Sequence, residues 1–421
     1  MLSELDTRLD PSRSQRRTDA AAGPSLQLTI AAAAVATGVI VASAALDLGT
    51  AHWGATLVAL PLLVGAVVAA FFSYRRLLAA SSASLSLLVA AIASGGIVAW
   101  TGSAGWAVAL HVSMAACALA GAVVLLALAR SGERVPLGSL RDHVILTKPR
   151  IMTLLLLTGA AGMFVGAGGV PDLVDLGVAM LGLALACGGA SALNHVMDAD
   201  IDQLMGERTK ARPVASGRIA PARALEFGLA LSAASFALLA SSVNVVTALL
   251  ALAGNLFYVL VYTGWLKRST DWNIVIGGAA GAVPPLVGFA AATGDLRLSA
   301  IWLFLIVFLW TPPHFWALAL MIKEHYSAAS IPMLPGTRGD RETTRQILLY
   351  TLVMVAFTVA VGIWLGWIYT GTAAVLGLAF LALAWRLRRH ATRRNAMVLF
   401  HYSLAYLAVL FVAAALDPVI L

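Results

Sequence analysis

Charged residues are scarce in this 421-residue sequence. They make up 11% of the chain, whereas 60% of it is hydrophobic and the mean hydropathy is +0.89. A typical soluble domain carries about 25% charged residues. The composition therefore excludes an ordinary water-soluble protein and indicates a chain that lies in a lipid bilayer.

Cysteine is nearly absent. Cys117 and Cys187 are the only two, and both lie within apolar runs. Two such residues build neither a disulfide framework nor a zinc cluster. The sequence predicts that both pack as small apolar side chains.

Long apolar runs are abundant, and they predict an all-α, polytopic membrane helix bundle. The runs that we interpret as transmembrane helices are residues 26–46, 53–73, 80–101, 105–129, 151–168, 173–197, 224–241, 243–263, 273–292, 298–321, 347–368, 371–386 and 397–416. A polar, Gly- and Pro-containing interruption near residues 130–150 divides them. We therefore predict a cytoplasmic tail (1–25), a four-helix membrane extension of unassigned role (26–130) and a nine-helix domain (131–421).

Lysine and arginine fall almost entirely in alternate loops. With a cytoplasmic N-terminus, every one of the 28 except Arg297 lies on the inner side of the cell membrane, as the positive-inside rule requires. The net charge of +8 is then explained by orientation and lipid contact, so we expect no nucleic-acid partner. The first apolar run is long enough to span, and we interpret it as an anchor rather than a removable signal.

A polar motif begins inside one of the apolar runs. Asn194, Asp198 and Asp202 stand four residues apart, so on a helix they share one face with roughly 6 Å of rise between neighbours. Carboxylates beside hydrocarbon are costly and need partners. A solvated acidic loop would not explain why the series begins within the span. Because cations follow in residues 206–213, the motif indicates an anion held through a divalent metal.

The Asn-x3-Asp-x3-Asp spacing resembles the signature of the UbiA-type intramembrane prenyltransferases. Later segments are similar to one branch of that family, the protoheme IX farnesyltransferases or haem O synthases. These segments are Tyr262–Arg268 with Asn273–Pro285, then Trp310–Phe315, and finally Tyr326 with Ile331–Pro335. The resemblance covers about residues 140–416. It implies a nine-helix prenyltransferase bundle whose cavity opens to the cytoplasm and holds farnesyl diphosphate and haem B.

The reaction implied by the resemblance joins the farnesyl group to the 2-vinyl group of haem B and yields haem O and diphosphate. Asn194, Asp198 and Asp202 would be catalytic and would hold Mg²⁺, a hard cation that prefers oxygen ligands. Cations at the same boundary would bind phosphate oxygens. They are Lys148, Arg150, Arg208, Lys210, Arg212, Lys267 and Arg268.

Some of these cations have a simpler explanation. Lys148 and Arg150 also fit side chains that merely extend to lipid headgroups. Lys267 and Arg268 also fit residues that only fix helix orientation. Both alternatives stay open for each pair.

The second acidic motif common in the family is reduced here to Lys323-Glu324-His325-Tyr326. Lys323 and Glu324 are catalytic candidates, and His325 and Tyr326 are haem-binding candidates. Either one Mg²⁺ suffices and Lys323 neutralises the remaining charge, or His325 contributes to haem binding.

His314 is a further haem-binding candidate. It follows Pro312-Pro313, which we expect to break the helix within the membrane. His314 then either contacts haem or handles a proton, or it only repairs the broken hydrogen-bond ladder. Trp310, Phe315 and Trp316 either line the cavity and stabilise an allylic cation or pack in the core.

Two other functions compete with haem farnesylation. One is prenyl transfer to an aromatic quinone precursor or a lipid glycerol, and the other is transport of haem or another solute. In the N-terminal extension, His111 is either a haem ligand or a packing residue. The resemblance to haem O synthases implies a haem A synthase or an oxidase assembly protein as the expected partner.

Overall fold

The computed structural model describes residues 23–45, 49–72, 77–100, 105–131 and 138–420. Residues 1–22 of the predicted tail lie outside this part of the chain. Across the described ranges the secondary structure is helical and contains no strand, which confirms the all-α prediction. The helices are α1 (Pro24–Ala45), α2 (Gly49–Phe72), α3 (Leu78–Trp100), α4 (Gly105–Ser131), α5 (Leu140–Leu146), α6 (Pro149–Ala167), α7 (Leu173–Met197), α8 (Ala199–Leu204), α9 (Glu207–Lys210), α10 (Pro221–Ser242), α11 (Val245–Ser269), α12 (Asn273–Thr293), α13 (Leu298–Met321), α14 (Lys323–Ala328), α15 (Leu334–Thr337), α16 (Gly339–Leu365), α17 (Trp367–Arg389) and α18 (Arg393–Ile420).

Nine helices in the described ranges are long and apolar enough to cross a membrane, so the chain is a multi-pass membrane protein. They are α6, α7, α10, α11, α12, α13, α16, α17 and α18. Helices α1 to α4 are 22, 24, 23 and 27 residues long and overlap the four predicted N-terminal spans. The predicted span 347–368 overruns a turn, because α16 ends at Leu365 and is followed by Gly366, whose φ of 124° suits glycine.

The chain forms two compact units. The first comprises Met1–Ser139 and Gly217–Ala237, and in it α4 packs against both α1 and α3. His111 of this unit is buried, and its Nδ1 lies 2.8 Å from the Ala91 carbonyl oxygen. The hydrogen bond agrees with the packing interpretation of His111. The predicted domain boundaries remain a prediction.

The second unit comprises Leu140–Ser216 and Leu238–Leu421. Its apolar core lies among α12, α13, α16, α17 and α18. Helix α6 packs closely on α12 because glycines occupy the contact: a side chain at Gly288 would overlap the Gly159 carbonyl group. Small residues at helix contacts let backbones approach in membrane proteins. Glycine here therefore fixes the position of α6, which begins beside the polar motif.

Polar helix ends gather at one end of this second unit. Lys148, just before α6, contacts Asn194 of α7, and Lys267 at the end of α11 contacts Asp198. Asp271 before α12 pairs with the residue that precedes α16, Arg338, at 2.6 Å. Arg297 lies before the opposite end of α13. The loops that the charge pattern places on one side of the membrane thus meet in space.

Two helices have local features near this end. Residues Phe257–Leu266 of α11 form a π-helix, a widened helix that is often found at functional sites. Helix α13 instead stays helical through Pro312 and Pro313. The predicted break at these prolines is therefore wrong, because α13 continues past both of them to Met321.

Candidate active site

Asn194 is the centre of a buried polar network. Its side-chain Oδ1 accepts a hydrogen bond from Lys148 Nζ at 2.8 Å. Its side-chain Nδ2 donates to Asp198 Oδ2 at 2.8 Å and to Thr263 Oγ1 at 3.1 Å. Lys267 Nζ lies 2.6 Å from the same Asp198 oxygen. Asn194 and Asp198 are only 3% and 1% exposed. The four-residue spacing thus produces one cluster rather than a solvated acidic loop.

Asp202 continues the cluster one helical turn further. It is fully buried, and Arg212 Nη1 donates to its Oδ1 at 2.6 Å. Burial raises the pKa of the Asp202 carboxyl, and the Arg212 guanidinium opposes that rise. The cluster therefore brings two acids together with the three cations Lys148, Arg212 and Lys267.

Lys148 has an unusual conformation and protonation. Its φ and ψ of 50° and 57° are left-handed, although residues before a proline such as Pro149 prefer extended backbone. Burial, followed by repulsion from Arg212, lowers the pKa of its ammonium group from 10.5 to about 7. A lysine that only reached for lipid headgroups would show neither feature, so its direct contact with Asn194 favours the site interpretation.

The two carboxylates keep free oxygen atoms that suit a metal ion. Asp198 Oδ1 and Asp202 Oδ2 are buried and have no hydrogen-bond partner, and carboxylate oxygens are the ligands that Mg²⁺ prefers. The Asn194 oxygen is already bonded to Lys148. No three His, Cys, Asp or Glu side chains converge within the ranges that the structure describes. The site therefore fits a metal ion held partly by the protein and partly by another ligand.

The other predicted phosphate-binding cations lie outside the cluster. Arg268 forms two hydrogen bonds of 2.8 Å with Asp200, and this bonding lowers the pKa of the Asp200 carboxyl to about 2. Lys210 pairs with Glu207 at 3.1 Å on the surface. Arg150 and Arg208 are exposed. Of the seven cations, Lys148, Arg212 and Lys267 are the ones that contact Asn194, Asp198 or Asp202.

The reduced second motif lies beside a cavity. Lys323 Nζ lies 3.1 and 2.9 Å from the two carboxylate oxygens of Asp340, while Glu324 and His325 are exposed. These four residues line part of a cavity of about 340 Å³. Burial raises the pKa of the neighbouring Tyr326 to about 12. Asp340 thus supplies the acid that the sequence motif lacks.

His314 lies in an aromatic sandwich between α13 and α18. Its ring centre is 4.2 Å from that of Trp310 and 4.7 Å from that of Phe400. Its Nδ1 lies 2.6 Å from Ser403 Oγ, and Trp310 Nε1 donates to the Ser403 carbonyl at 2.8 Å. His314 therefore bonds to a side chain on another helix and does not repair its own helix.

The three aromatic residues predicted to line the cavity, Trp310, Phe315 and Trp316, have different surroundings. Trp316 is 2% exposed and meets Tyr350 edge-on at 5.3 Å, so it packs in the core. Phe315 is partly buried against the same core. Trp310 is the one of the three in ring contact with His314.

Sequence reasoning missed several residues of the site. Thr263, Asp340 and Ser403 contact candidates from 69, 17 and 89 residues away, and no local pattern signals such pairs. His195 follows Asn194 directly and is buried. Its position inside the motif was the available signal.

Comparison with known proteins identifies the family to which the chain belongs. The UbiA prenyltransferase family model matches residues 155–410. A protoheme IX farnesyltransferase of Symbiobacterium thermophilum is 53% identical over 295 residues, which is 69% of this chain and 98% of the relative. A solved digeranylgeranylglyceryl phosphate synthase has a TM-score of 0.57 and 17% identity over 67% of this chain and 99% of its own.

A UbiA homolog from Archaeoglobus fulgidus, solved with GPP and Mg²⁺, gives a TM-score of 0.52 at 16% identity and covers 65% of this chain and 99% of its own. The two solved structures support the fold alone, whereas the family model and the curated relative establish kinship. The chain therefore belongs to the UbiA prenyltransferase family and, within it, to the protoheme IX farnesyltransferase group.

Proposed function

We propose that the protein transfers the farnesyl group of farnesyl diphosphate to the 2-vinyl group of haem B, with addition of water, to give haem O and diphosphate. The observation that carries this proposal is the buried cluster of Asn194, Asp198 and Asp202 with three cations, in a chain 53% identical to a protoheme IX farnesyltransferase. The farnesyl carbon loses its bond to diphosphate and gains a bond to the terminal vinyl carbon. Water adds its oxygen to the inner vinyl carbon as the hydroxyl of the product, and its other proton is released together with diphosphate.

The cluster is suited to an allylic diphosphate. Lys148, Arg212 and Lys267 supply N–H donors, and phosphate oxygens accept such charge-assisted bonds strongly. Asp198 Oδ1 and Asp202 Oδ2 would hold Mg²⁺, since neither oxygen has another partner. Mg²⁺ bound there would neutralise charge on the departing diphosphate. The Asn194 oxygen would join them only if Lys148 turned toward the substrate.

Substrate binding would rearrange the ion pairs of the cluster. In the structure Lys267 and Arg212 neutralise Asp198 and Asp202 directly. A diphosphate with its metal would compete for these partners, and each cation would then bridge a carboxylate and a phosphate oxygen. The Asp198 and Asp202 carboxylates are buried, so such interactions are stronger than in water. Burial also keeps water from an allylic cation until the vinyl group attacks.

Haem B is proposed to bind near His314. The imidazole is half-buried and held by Trp310, Phe400 and Ser403, and this fixed orientation is typical of a histidine that ligates a metal. Tyr326 and His325 stay secondary haem-binding candidates. His325 packs near Gly206, where an added Cβ would lie 3.2 Å from its Nδ1. Lys323 and Glu324 are proposed to act at the mouth of the site.

The site is proposed to face the cytoplasm, with the protein in the cell membrane and its N-terminus inside. Support comes from the positive-inside pattern, because all Lys and Arg except Arg297 fall on one side. Haem O is amphiphilic and stays in the membrane. We therefore propose direct transfer of the product to a haem A synthase or an oxidase assembly protein.

The test is an incubation of purified full-length protein with haem B, farnesyl diphosphate and Mg²⁺, followed by mass spectrometry. We expect a haem heavier by one farnesyl group and one hydroxyl group. Parallel reactions contain a phenolic quinone precursor or an isoprenyl glycerol acceptor in place of haem B. Intact haem B together with a prenylated phenol or glycerol would overturn the proposal, and so would vesicle uptake of haem without any covalent product.

A further inference from the structure

His195 is a buried imidazole without a hydrogen bond. It is 2% exposed, and both Nδ1 and Nε2 lack a partner within the described part of the chain. An imidazole has two polar nitrogens, and burying them unbonded is unfavourable. No step of the proposed reaction uses this side chain.

His195 lies on the same helical face as the two acids of the candidate active site. On α7 and its continuation, His195, Asp198 and Asp202 follow each other at intervals of three and four residues, which places them along one helical face. Lys148 contacts the preceding residue, Asn194, and Arg212 contacts Asp202 on the same face. The unbonded ring thus lies on the face that carries the two acids, next to a residue that binds one of the three cations.

The cations around His195 favour an anionic ligand. An N–H donor in a region of positive charge suits an acceptor-rich anion, and a diphosphate offers only acceptor oxygens. The second ring nitrogen can accept a hydrogen bond from a neighbouring ammonium or guanidinium group. Both nitrogens would then have a partner, whereas neither has one among the residues that the structure describes.

We propose that His195 is a substrate-binding residue that donates a hydrogen bond to a diphosphate oxygen while its other nitrogen accepts one from Lys148 or Arg212. This inference rests on the proposed function, because it needs a diphosphate in the cluster. It adds a neutral donor to the three cations. It also gives His195 a specific role in holding the leaving group.

The test compares His195→Leu with His195→Asn in the full-length protein. Leucine fills a similar volume without polar atoms, so removing an unbonded group leaves the Tm of the ligand-free protein equal or raised. Inorganic diphosphate with Mg²⁺ should raise the Tm of the wild type and no longer raise that of His195→Leu. The KM for farnesyl diphosphate should increase about tenfold or more in this variant, and His195→Asn should recover part of the loss.

Two outcomes would overturn the inference. If His195→Leu keeps the wild-type KM and the wild-type response to diphosphate, the histidine only packs or binds a structural water. If both variants lose stability without ligand, the ring is already bonded within the protein. If either outcome is found for the variants while the wild type forms haem O normally, the inference fails and the proposed function stays intact. A wild type that binds no diphosphate and forms no haem O would instead remove the proposed function itself.

Discussion

Ser403 Oγ lies 2.6 Å from both the Phe400 carbonyl oxygen and His314 Nδ1. When the single hydroxyl hydrogen is donated to the carbonyl oxygen, Ser403 Oγ accepts a hydrogen bond from His314 Nδ1. In a neutral imidazole, Nε2 then carries the lone pair. That nitrogen is the one available to ligate haem iron or to accept a proton.

The Ser403→Ala variant tests this relationship. We expect haem B to bind about 10-fold more weakly, with an altered Soret band, because the ring loses the bond that sets its orientation and tautomer. The measurement is a spectroscopic haem titration of purified protein. Thr358→Val, which removes another buried hydroxyl facing α18, serves as the control and should titrate like the wild type. An unchanged titration for Ser403→Ala would reduce His314 to a packing residue.

Lys148 predicts a pH dependence of substrate capture. Its pKa is lowered to about 7, so the ammonium is charged below that pH and neutral above it. We expect kcat/KM for farnesyl diphosphate to fall as the pH rises through about 7, because a cation is lost from the free enzyme. Lys148→Arg keeps its charge and should flatten the profile. A wild-type kcat/KM that is constant from about pH 6 to 9 would contradict this role.

Asp417 predicts a stability effect without a catalytic one. Its buried carboxylate in α18 accepts hydrogen bonds from the backbone N–H groups of Tyr369 at 2.7 Å and Ile368 at 3.2 Å, at the start of α17. Asp417→Ala should lower the free energy of unfolding by about 1–3 kcal/mol. Thermal unfolding in detergent measures the loss, and kcat per folded molecule should not change. An unaltered Tm would show that this cap contributes nothing.

The N-terminal extension predicts a further division between stability and activity. Ala222 and Leu229 of α10 pack against the apolar cluster of α1 to α4, so removal of residues 1–135 exposes that part of α10. We expect the truncated protein to have a lower Tm and to retain haem farnesylation. Loss of activity in protein that remains folded would show that the extension takes part in catalysis.

Much of the fold could be predicted because the bilayer makes the pattern simple. Each apolar run needs about 20 residues, and every predicted span from 151 onward overlaps an observed helix, although the span 347–368 crosses the turn at Gly366. The exceptions are local. Proline is expected to break a helix, yet α13 continues through Pro312 and Pro313, as transmembrane helices that pack against neighbouring helices can.

The site was predictable only where its residues are neighbours in sequence. The Asn194, Asp198 and Asp202 spacing indicates one helical face, and the structure gathers all three. Lys267 could be predicted from its charge as a partner of these acids. The sequence could not distinguish it from Arg268, which pairs instead with the exposed Asp200. Pairs such as Lys323 with Asp340 depend on helix packing, which sequence spacing does not encode.

The most direct test of the account is a comparison of Asp198→Asn with Asp200→Asn. The two acids lie in the same motif, but Asp198 is buried against Lys267 whereas the Asp200 side chain is 65% exposed. Haem O formation is measured by mass spectrometry across a Mg²⁺ titration with haem B and farnesyl diphosphate. We predict that Asp198→Asn loses turnover at every Mg²⁺ concentration while Asp200→Asn stays near the wild type. Equal activity of both variants at saturating Mg²⁺ would contradict a metal-dependent diphosphate site at Asp198.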